Sequence, residues 1–282
     1  VTGALVGGIG LGLRWEFIEE LLERLPREID FIEVSPENYM ERGGYYPAAL
    51  AEALAAYPVI THGLTMSLGG TEPLDDGYLR ALRDFIREVK SPWHSDHVCF
   101  GSARGVVLHD LLPIRFTEAA VERVSDRIRR AQDALLVPMA VENISFYFHP
   151  GKREMGEAEF LARVCDRADC GLMLDVNNAY VNSANFGFDV DEWVRTAPLE
   201  RSVQIHVAGH EWFDEPGGRL IVDTHGADVA DPVLGLLERV LPRTGPVPIV
   251  LERDQDIPSL DGLLSEVARV RTAVDRARTT PR

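Results

Sequence analysis

Two hydrophobic rhythms alternate along this chain. Short β-rich runs recur eight times: ALVGGIGLGLR (4–14), DFIEVSPEN (30–38), YPVITHGL (57–64), SPWHSDHVCF (91–100), LVPMAVENIS (136–145), CGLMLDVNN (170–178), RSVQIHVAG (201–209) and VPIVLERD (247–254). Short apolar, β-branched-rich runs bounded by turn residues mark strands. Between most of these runs, apolar residues fall three and four apart. EFIEELLERL places Phe17, Ile18, Leu21, Leu22 and Leu25 on one helical face. PAALAEALAA, DGYLRALRDFIREV, EAAVERVSDRIRRAQDAL, GEAEFLARVCDRA and DPVLGLLERVL follow the same rule, and SLDGLLSEVARVRTAVDRA closes as a helix opened by Ser259.

Strand and helix alternating eight times predict an α/β fold, a single (β/α)8 TIM barrel. One domain is expected over residues 1–282, with 279–282 as a frayed tail. The competing open, doubly wound sheet usually carries a glycine fingerprint after its first strand. Gly7, Gly8, Gly10 and Gly12 have the wrong spacing for it, so they are read as a glycine-rich strand.

In such a barrel the chemistry gathers where the strands end. The third run ends in His62, the fourth in Asp96 and His97, the fifth in Glu142 and Asn143. The sixth gives Asp175, Asn177 and Asn178, the seventh His206 and His210, and the eighth Glu252 and Asp254. Asp223 and His225 follow in a long loop, so three of the chain's 8 histidines crowd into 206–225. Side chains alternate between the barrel interior and the helix layer. Val203, Ile205 and Val207 form the outer set of the seventh strand, which turns Gln204 and His206 inward. The same test turns Asp175 inward against Leu172, Leu174 and Val176, Glu142 against Val141, and Glu252 against Ile249 and Leu251.

Composition narrows the chemistry. The chain is 45% hydrophobic and 26% charged, with a net charge of −16 that repels a phosphate backbone and argues against a nucleic-acid partner. No apolar run reaches membrane-spanning length. The N-terminal segment lacks a basic start and a cleavage pattern, so no targeting segment is read and the cytoplasm is the expected compartment. Cys99, Cys165 and Cys170 form no C-x-x-C pair and are read as packing residues. Several carboxylates converging in a low-dielectric mouth repel one another, and only Arg14 and Arg253 offer guanidinium groups at the strand ends. Metal is the economical counter-charge. Imidazole nitrogen with carboxylate and amide oxygen, and no thiolate, suits iron, manganese or zinc, and the number of donors exceeds one four-ligand site. The H-x-x-x-H of HVAGH lacks a zincin's glutamate and leaves a strand, so that reading is rejected.

Taken in order, THGLTMSLGG, SDHVCF, VENIS, LDVNNAYVNSANFGFD, IHVAGH, DTHG and LERD resemble the multinuclear non-heme iron-dependent oxidative enzymes. That family includes enzymes of methanobactin maturation and thiaglutamate biosynthesis. The resemblance runs from about Gly8 to Asp256, and FIEVSPENYM fits it too. It implies a xylose isomerase-like barrel holding two or three irons in mixed Fe2+/Fe3+ states. His62, His97 and Glu142 would hold one iron, and Glu142, Asn178, His206 and Glu252 its neighbour. Asp175, His210, Asp223 and His225 would hold a third, more labile one. Glu142, Asp175 and His206 would carry the reaction, with Asp96 and Asn177 orienting them. The implied activity is oxidation by O2 of a residue, cysteine foremost, in a ribosomally made precursor peptide, with a separate small leader-binding protein as partner. A divalent-metal sugar isomerase and a metal-dependent hydrolase or endonuclease of the same barrel superfamily are the alternatives. The acidic charge argues against the endonuclease, and the lack of a strand-end lysine against the isomerase.

Overall fold

The computed structural model describes residues 6–103 and 105–279. Eight parallel strands close into a barrel in the order β1-β12-β9-β8-β7-β4-β3-β2. They are β1 (Ile9–Gly12), β2 (Ile32–Val34), β3 (Val59–His62), β4 (His94–His97), β7 (Met139–Glu142), β8 (Gly171–Asp175), β9 (Ser202–Val207) and β12 (Ile249–Leu251). Two antiparallel hairpins, β5 (Phe100–Ala103) with β6 (Val106–Leu112) and β10 (Glu211–Glu215) with β11 (Gly218–Val222), stand on loops beyond the ends of β4 and β9. The seven predicted helices form an outer layer, and Ser259 Oγ accepts the Gly262 amide at 3.3 Å, as a helix-opening residue should. Residues 4–5 of the first predicted run and 280–282 of the predicted tail lie outside the described residues, whereas Thr279 ends the last helix. No described helix is long and apolar enough to cross a membrane.

The barrel strands are all shorter than the predicted runs, and after β8 the remainder of the run is helix. β8 stops at Asp175, and Val176 begins a helix, Val176–Phe186, followed by Val190–Thr196. The cause is Asp175 itself, whose Oδ1 accepts the Asn178 amide at 2.6 Å and caps that helix.

Leu11, Ile205, Leu172, Leu251 and their neighbours pack outward against the helices in one continuous core. A second, small apolar cluster of Phe31, Ile60 and Val250 plugs the barrel axis, with Trp93 against it. Inward-facing Gly10 makes room for that plug, because a Cβ there would lie 2.7 Å from the Phe31 ring.

Two buried carboxylates in the outer layer show how charge is handled away from the mouth. Glu266 is matched: Arg253 Nη2 lies 2.9 Å from it and 2.7 Å from Asp228. Arg253→Ala strands the Glu266 charge, so denaturant unfolding should show a loss of about 3–5 kcal/mol. Glu157 is not matched. Burial pushes its carboxyl up to about 7, and hydrogen bonds from Trp193 and Asn182 only partly oppose this. The folded chain therefore keeps a proton that the unfolded chain releases near its ordinary value of 4.5. Stability from this group is full below that value and falls as pH climbs through the raised one. Glu157→Gln should remove a decline of roughly 1.4 kcal/mol per pH unit across that window, read as the difference between variant and parent denaturation curves.

Candidate metal centre

Residues in register on neighbouring parallel strands point to the same side of the sheet. His62 is in register with Ser95, His97 with Glu142, and Asp175 and Val250 with His206. Val250 belongs to the apolar plug, and the other positions, together with Glu33 and Glu252, build layers above it. Gln204 comes first. Its Oε1 accepts Trp93 Nε1 at 3.0 Å, and its amide donates to Glu33 Oε2.

Above Gln204 the ligating atoms collect into four overlapping triads: His62–His97–Glu142, Glu142–Asp175–His206, Glu33–His206–Glu252 and Asp175–His225–Glu252. Within each triad one donor atom per residue lies within 4.8 Å of the others. Since the triads share Glu142, Asp175, His206 and Glu252, they form one continuous cluster.

The first triad is organised like a chelate. His62 Nδ1 lies 2.9 Å from Ser95 Oγ, and the tautomer that donates there turns the Nε2 lone pair toward the axis. His62 Nε2 and His97 Nε2 stand 3.3 Å apart, and Glu142 Oε2 lies 3.1 and 2.9 Å from them in a geometry that forms no hydrogen bond. In the second flank, His206 lies between Glu33 Oε2 at 2.8 Å and Glu252 Oε2 at 3.0 Å. Arg14 holds the other oxygen of Glu252 at 3.0 Å and also pairs with Asp254. His225 Nδ1 contacts Asp254 at 3.1 Å.

Titration directions report the crowding. Burial pushes Asp175 far above the usual carboxylate range, and the charges of Glu142 and Asp223 push it further. Burial alone would raise Glu142 and Glu252 as well, but His97 and His62 outweigh it at Glu142, and His206 and His225 at Glu252, so both fall. Burial would lower His206, yet Glu33 and Glu252 raise it well above its ordinary value. These pairings are what protons achieve where cations would do the same.

Seven of the predicted ligands enter the triads: His62, His97, Glu142, Asp175, His206, His225 and Glu252. Asn178 stands beside them on the first turn after Asp175, its Nδ2 donating to Asn143 O and its Oδ1 buried without a partner. His210 and Asp223 stay one step out. His210 Nδ1 meets Asn177 Oδ1 at 2.7 Å, and Asn177 Nδ2 donates to Asp223 Oδ1 at 2.6 Å, with His225 Nε2 2.8 Å from that same oxygen. Asp96 faces the helix layer, in register with Val141, where it accepts the amides of His97 at 2.7 Å and Met66 at 3.3 Å. Glu33 was absent from the predicted set, although the alternation Ile32-Glu33-Val34 turns it inward.

The donor set fits a multinuclear metal site. Asp175 Oδ2, Asn178 Oδ1, Glu142 Oε2 and His225 Nε2 are all buried and make no hydrogen bond. Such atoms are costly unless something else satisfies them. The model of the family described as RiPP precursor modification enzyme MbnB/TglH/ChrH matches residues 8–275. The chain belongs to this family.

Relatives align with the chain over most of their own length. A UPF0276 protein of Shewanella loihica is 42% identical, over 93% of this chain and 92% of its own. One of Nitrosospira multiformis is 43% identical, over 93% and 91%. Among solved structures, a xylose isomerase-like TIM barrel protein from Mycobacterium smegmatis superposes with a TM-score of 0.60 at 11% identity, covering 93% of this chain and 89% of that one. Endonuclease IV from Thermus thermophilus gives 0.58 at 18%, covering 95% and 99%. These two likenesses show the xylose isomerase-like barrel. The MbnB/TglH/ChrH family itself consists of enzymes that modify ribosomally made precursor peptides.

Proposed function

We propose that this protein is a multinuclear iron-dependent oxidase that uses O2 to modify a cysteine of a precursor peptide, assisted by a small leader-binding partner protein. The observation that carries the reading is the chain of four triads sharing carboxylates, which offers nitrogen and oxygen donors for two or three ions and no thiolate. His62, His97 and Glu142 would hold one ion, and Glu142, Asp175, His206, Glu252 and Asn178 its neighbour, with Glu33 an added donor on that side. His225, with Asp175 and Glu252, and with Asp223 and His210 behind it, would hold a third. Bound iron supplies a Lewis acid that acidifies a substrate thiol and a redox centre that reduces oxygen.

The protein's own residues set the geometry. Ser95 fixes the His62 ring, Arg14 holds Glu252 Oε1 and leaves Oε2 facing His206, and the helix amide at Asn178 leaves Asp175 one free oxygen. Asp96 ties the Met66 loop to the end of β4. Beyond the strand ends, exposed aromatic residues come from separate segments: Trp15 after β1, Tyr46 in the helix Tyr45–Ala56, Tyr147 and Phe148 after β7, and Trp212 and Phe213 on β10. Such a broken apolar rim suits a peptide chain laid across the opening.

Anaerobically purified protein should contain more than one iron per chain and consume O2 with its peptide. The decisive assay is mass spectrometry of a small peptide encoded beside it, co-expressed with the protein. A chain that binds only zinc and leaves every such peptide unchanged would overturn the reading.

A further inference from the structure

A cavity of about 310 Å³ opens on the outer side of the mouth, between the loop after β7 and the helices Glu157–Ala168 and Val190–Thr196. Its walls are aromatic: Phe116, Phe146, Phe186, Phe188 and Trp193. Phe146 sits 5.0 Å from Phe186 and 6.0 Å from Phe116, centroid to centroid, so the rings form one lining. Glu157 also lines the cavity, and Asp189 and Glu192 join it.

The carboxylate of Glu157 lacks what Glu266 has. Both are buried, but Glu266 meets Arg253 at 2.9 Å, whereas Glu157 accepts a neutral indole N–H from Trp193 at 3.0 Å. Arg153 lines the same cavity, yet its hydrogen bond runs to His149 Nε2 at 3.4 Å, and among the described residues no ion pair joins it to a cavity carboxylate. A buried acid without a cation, walled by aromatic faces, is a receptor for an organic cation. The rings attract positive charge and cover its apolar stem, and the acid, whose raised carboxyl gives up its proton when a cation seats beside it, supplies the counter-charge. The volume is at the small end for ligand pockets and suits one side chain rather than a cofactor.

Position ties the cavity to the metal centre. Asn182 Nδ2 donates to Ile144 O at 2.9 Å and its Oδ1 accepts the Phe146 amide at 3.0 Å, which fixes the cavity wall to the segment leaving Glu142. One turn earlier on the same helix, Asn178 Nδ2 donates to Asn143 O at 3.0 Å. We propose that this cavity is a specificity pocket for a lysine or arginine side chain of the peptide. A residue seated there would fix how the rest of the peptide lies over the mouth. The proposal rests on the reading that the substrate is a peptide.

The test is calorimetric titration of the metal-loaded, full-length protein under nitrogen with N-acetyl-lysine amide, N-acetyl-arginine amide and the neutral N-acetyl-norleucine amide. At least one cationic probe should bind at least tenfold more tightly than norleucine. Glu157→Gln, which keeps an acceptor for Trp193, should weaken that binding at least tenfold and leave norleucine unchanged. Equal binding of norleucine, an unaffected Glu157→Gln variant, or no binding up to about 10 mM probe would overturn the pocket. The norleucine comparison needs no variant, so a misfolded mutant cannot hide the answer. No triad residue lines the cavity, so chelator-stripped protein should give the same affinities. Failure here therefore differs from failure of the oxidase reading, in which the metal or the peptide chemistry is wrong while the probes still bind.

Discussion

Glu142→Ala should empty more than one metal position per chain and reduce peptide modification by more than the roughly 100-fold typical of losing an outer-sphere partner. The reason is its double membership. Glu142 completes the triad with His62 and His97 and also the triad with Asp175 and His206. Its Oε2 sits 2.9 and 3.1 Å from the two imidazoles, and no other residue belongs to both triads. Glu33→Ala touches a single triad and should cost less metal. The measurement is elemental analysis of anaerobically prepared variants, paired with mass spectrometry of the peptide. Stability gives an independent reading, because metal bound only by the folded chain stabilises it by about 4 kcal/mol at a free concentration a thousandfold above Kd. The stabilisation that a chelator removes from the parent should be mostly absent from Glu142→Ala. Unchanged metal content in this variant would mean that the triads are hydrogen-bonded core and not ligands.

The legible part of this site follows from strand alternation where one face is clearly apolar. Ile205 and Val207 leave no choice about His206, and Leu174 none about Asp175. Where alternation is silent, so is the sequence. β4 reads His94-Ser95-Asp96-His97, polar on both faces, and only its register against Val141 and Glu142 shows that Asp96 points to the helices. His94 shares that outward face, where burial pushes its ring down to about 3 and His62 adds to the fall, which keeps it neutral. The helix Val176–Phe186 was hidden for a similar reason. Its asparagines at 177, 178, 182 and 185 break the apolar stripe, because they serve the site and the neighbouring loops instead of a core. Glu33 did carry a signal, since Ile32 and Val34 flank it, but the strand runs on into Ser35-Pro36-Glu37-Asn38, and those polar residues look like the strand's exit. The hairpin β10–β11 is largely exposed, so no buried face imposed a pattern on it.

Gly209→Ala should remove the ion held by Asp175, His225 and Glu252 while sparing the one held by His62, His97 and Glu142. The loop bearing Asp223 and His225 returns to the barrel at this glycine, where the His225 amide donates to Gly209 O at 3.1 Å. A Cβ at Gly209 would overlap the carbonyl of Ala227 and lie 2.8 Å from the Asp228 oxygen. Both obstacles are backbone, so the loop itself has to move. It is also pinned from the other side, because the Asp254 amide donates to His225 O at 3.0 Å and Arg253 Nη1 to Gly226 O at 2.5 Å. His225 already holds a left-handed φ of 48°, which leaves little slack for a backbone shift. Overpacking of this kind costs about 1–3 kcal/mol, less than a domain's stability, so the barrel should still fold. Gly217→Ala is the matched control, since a Cβ there meets nothing within 4 Å. Metal content should fall by one ion in Gly209→Ala and not in Gly217→Ala, with hydrogen exchange rising across residues 210–228 in the former only. If Gly209→Ala then keeps full activity, two ions suffice for the chemistry and the His225 flank serves another purpose. If activity falls with the third ion, the long loop after β9 is part of the reaction centre.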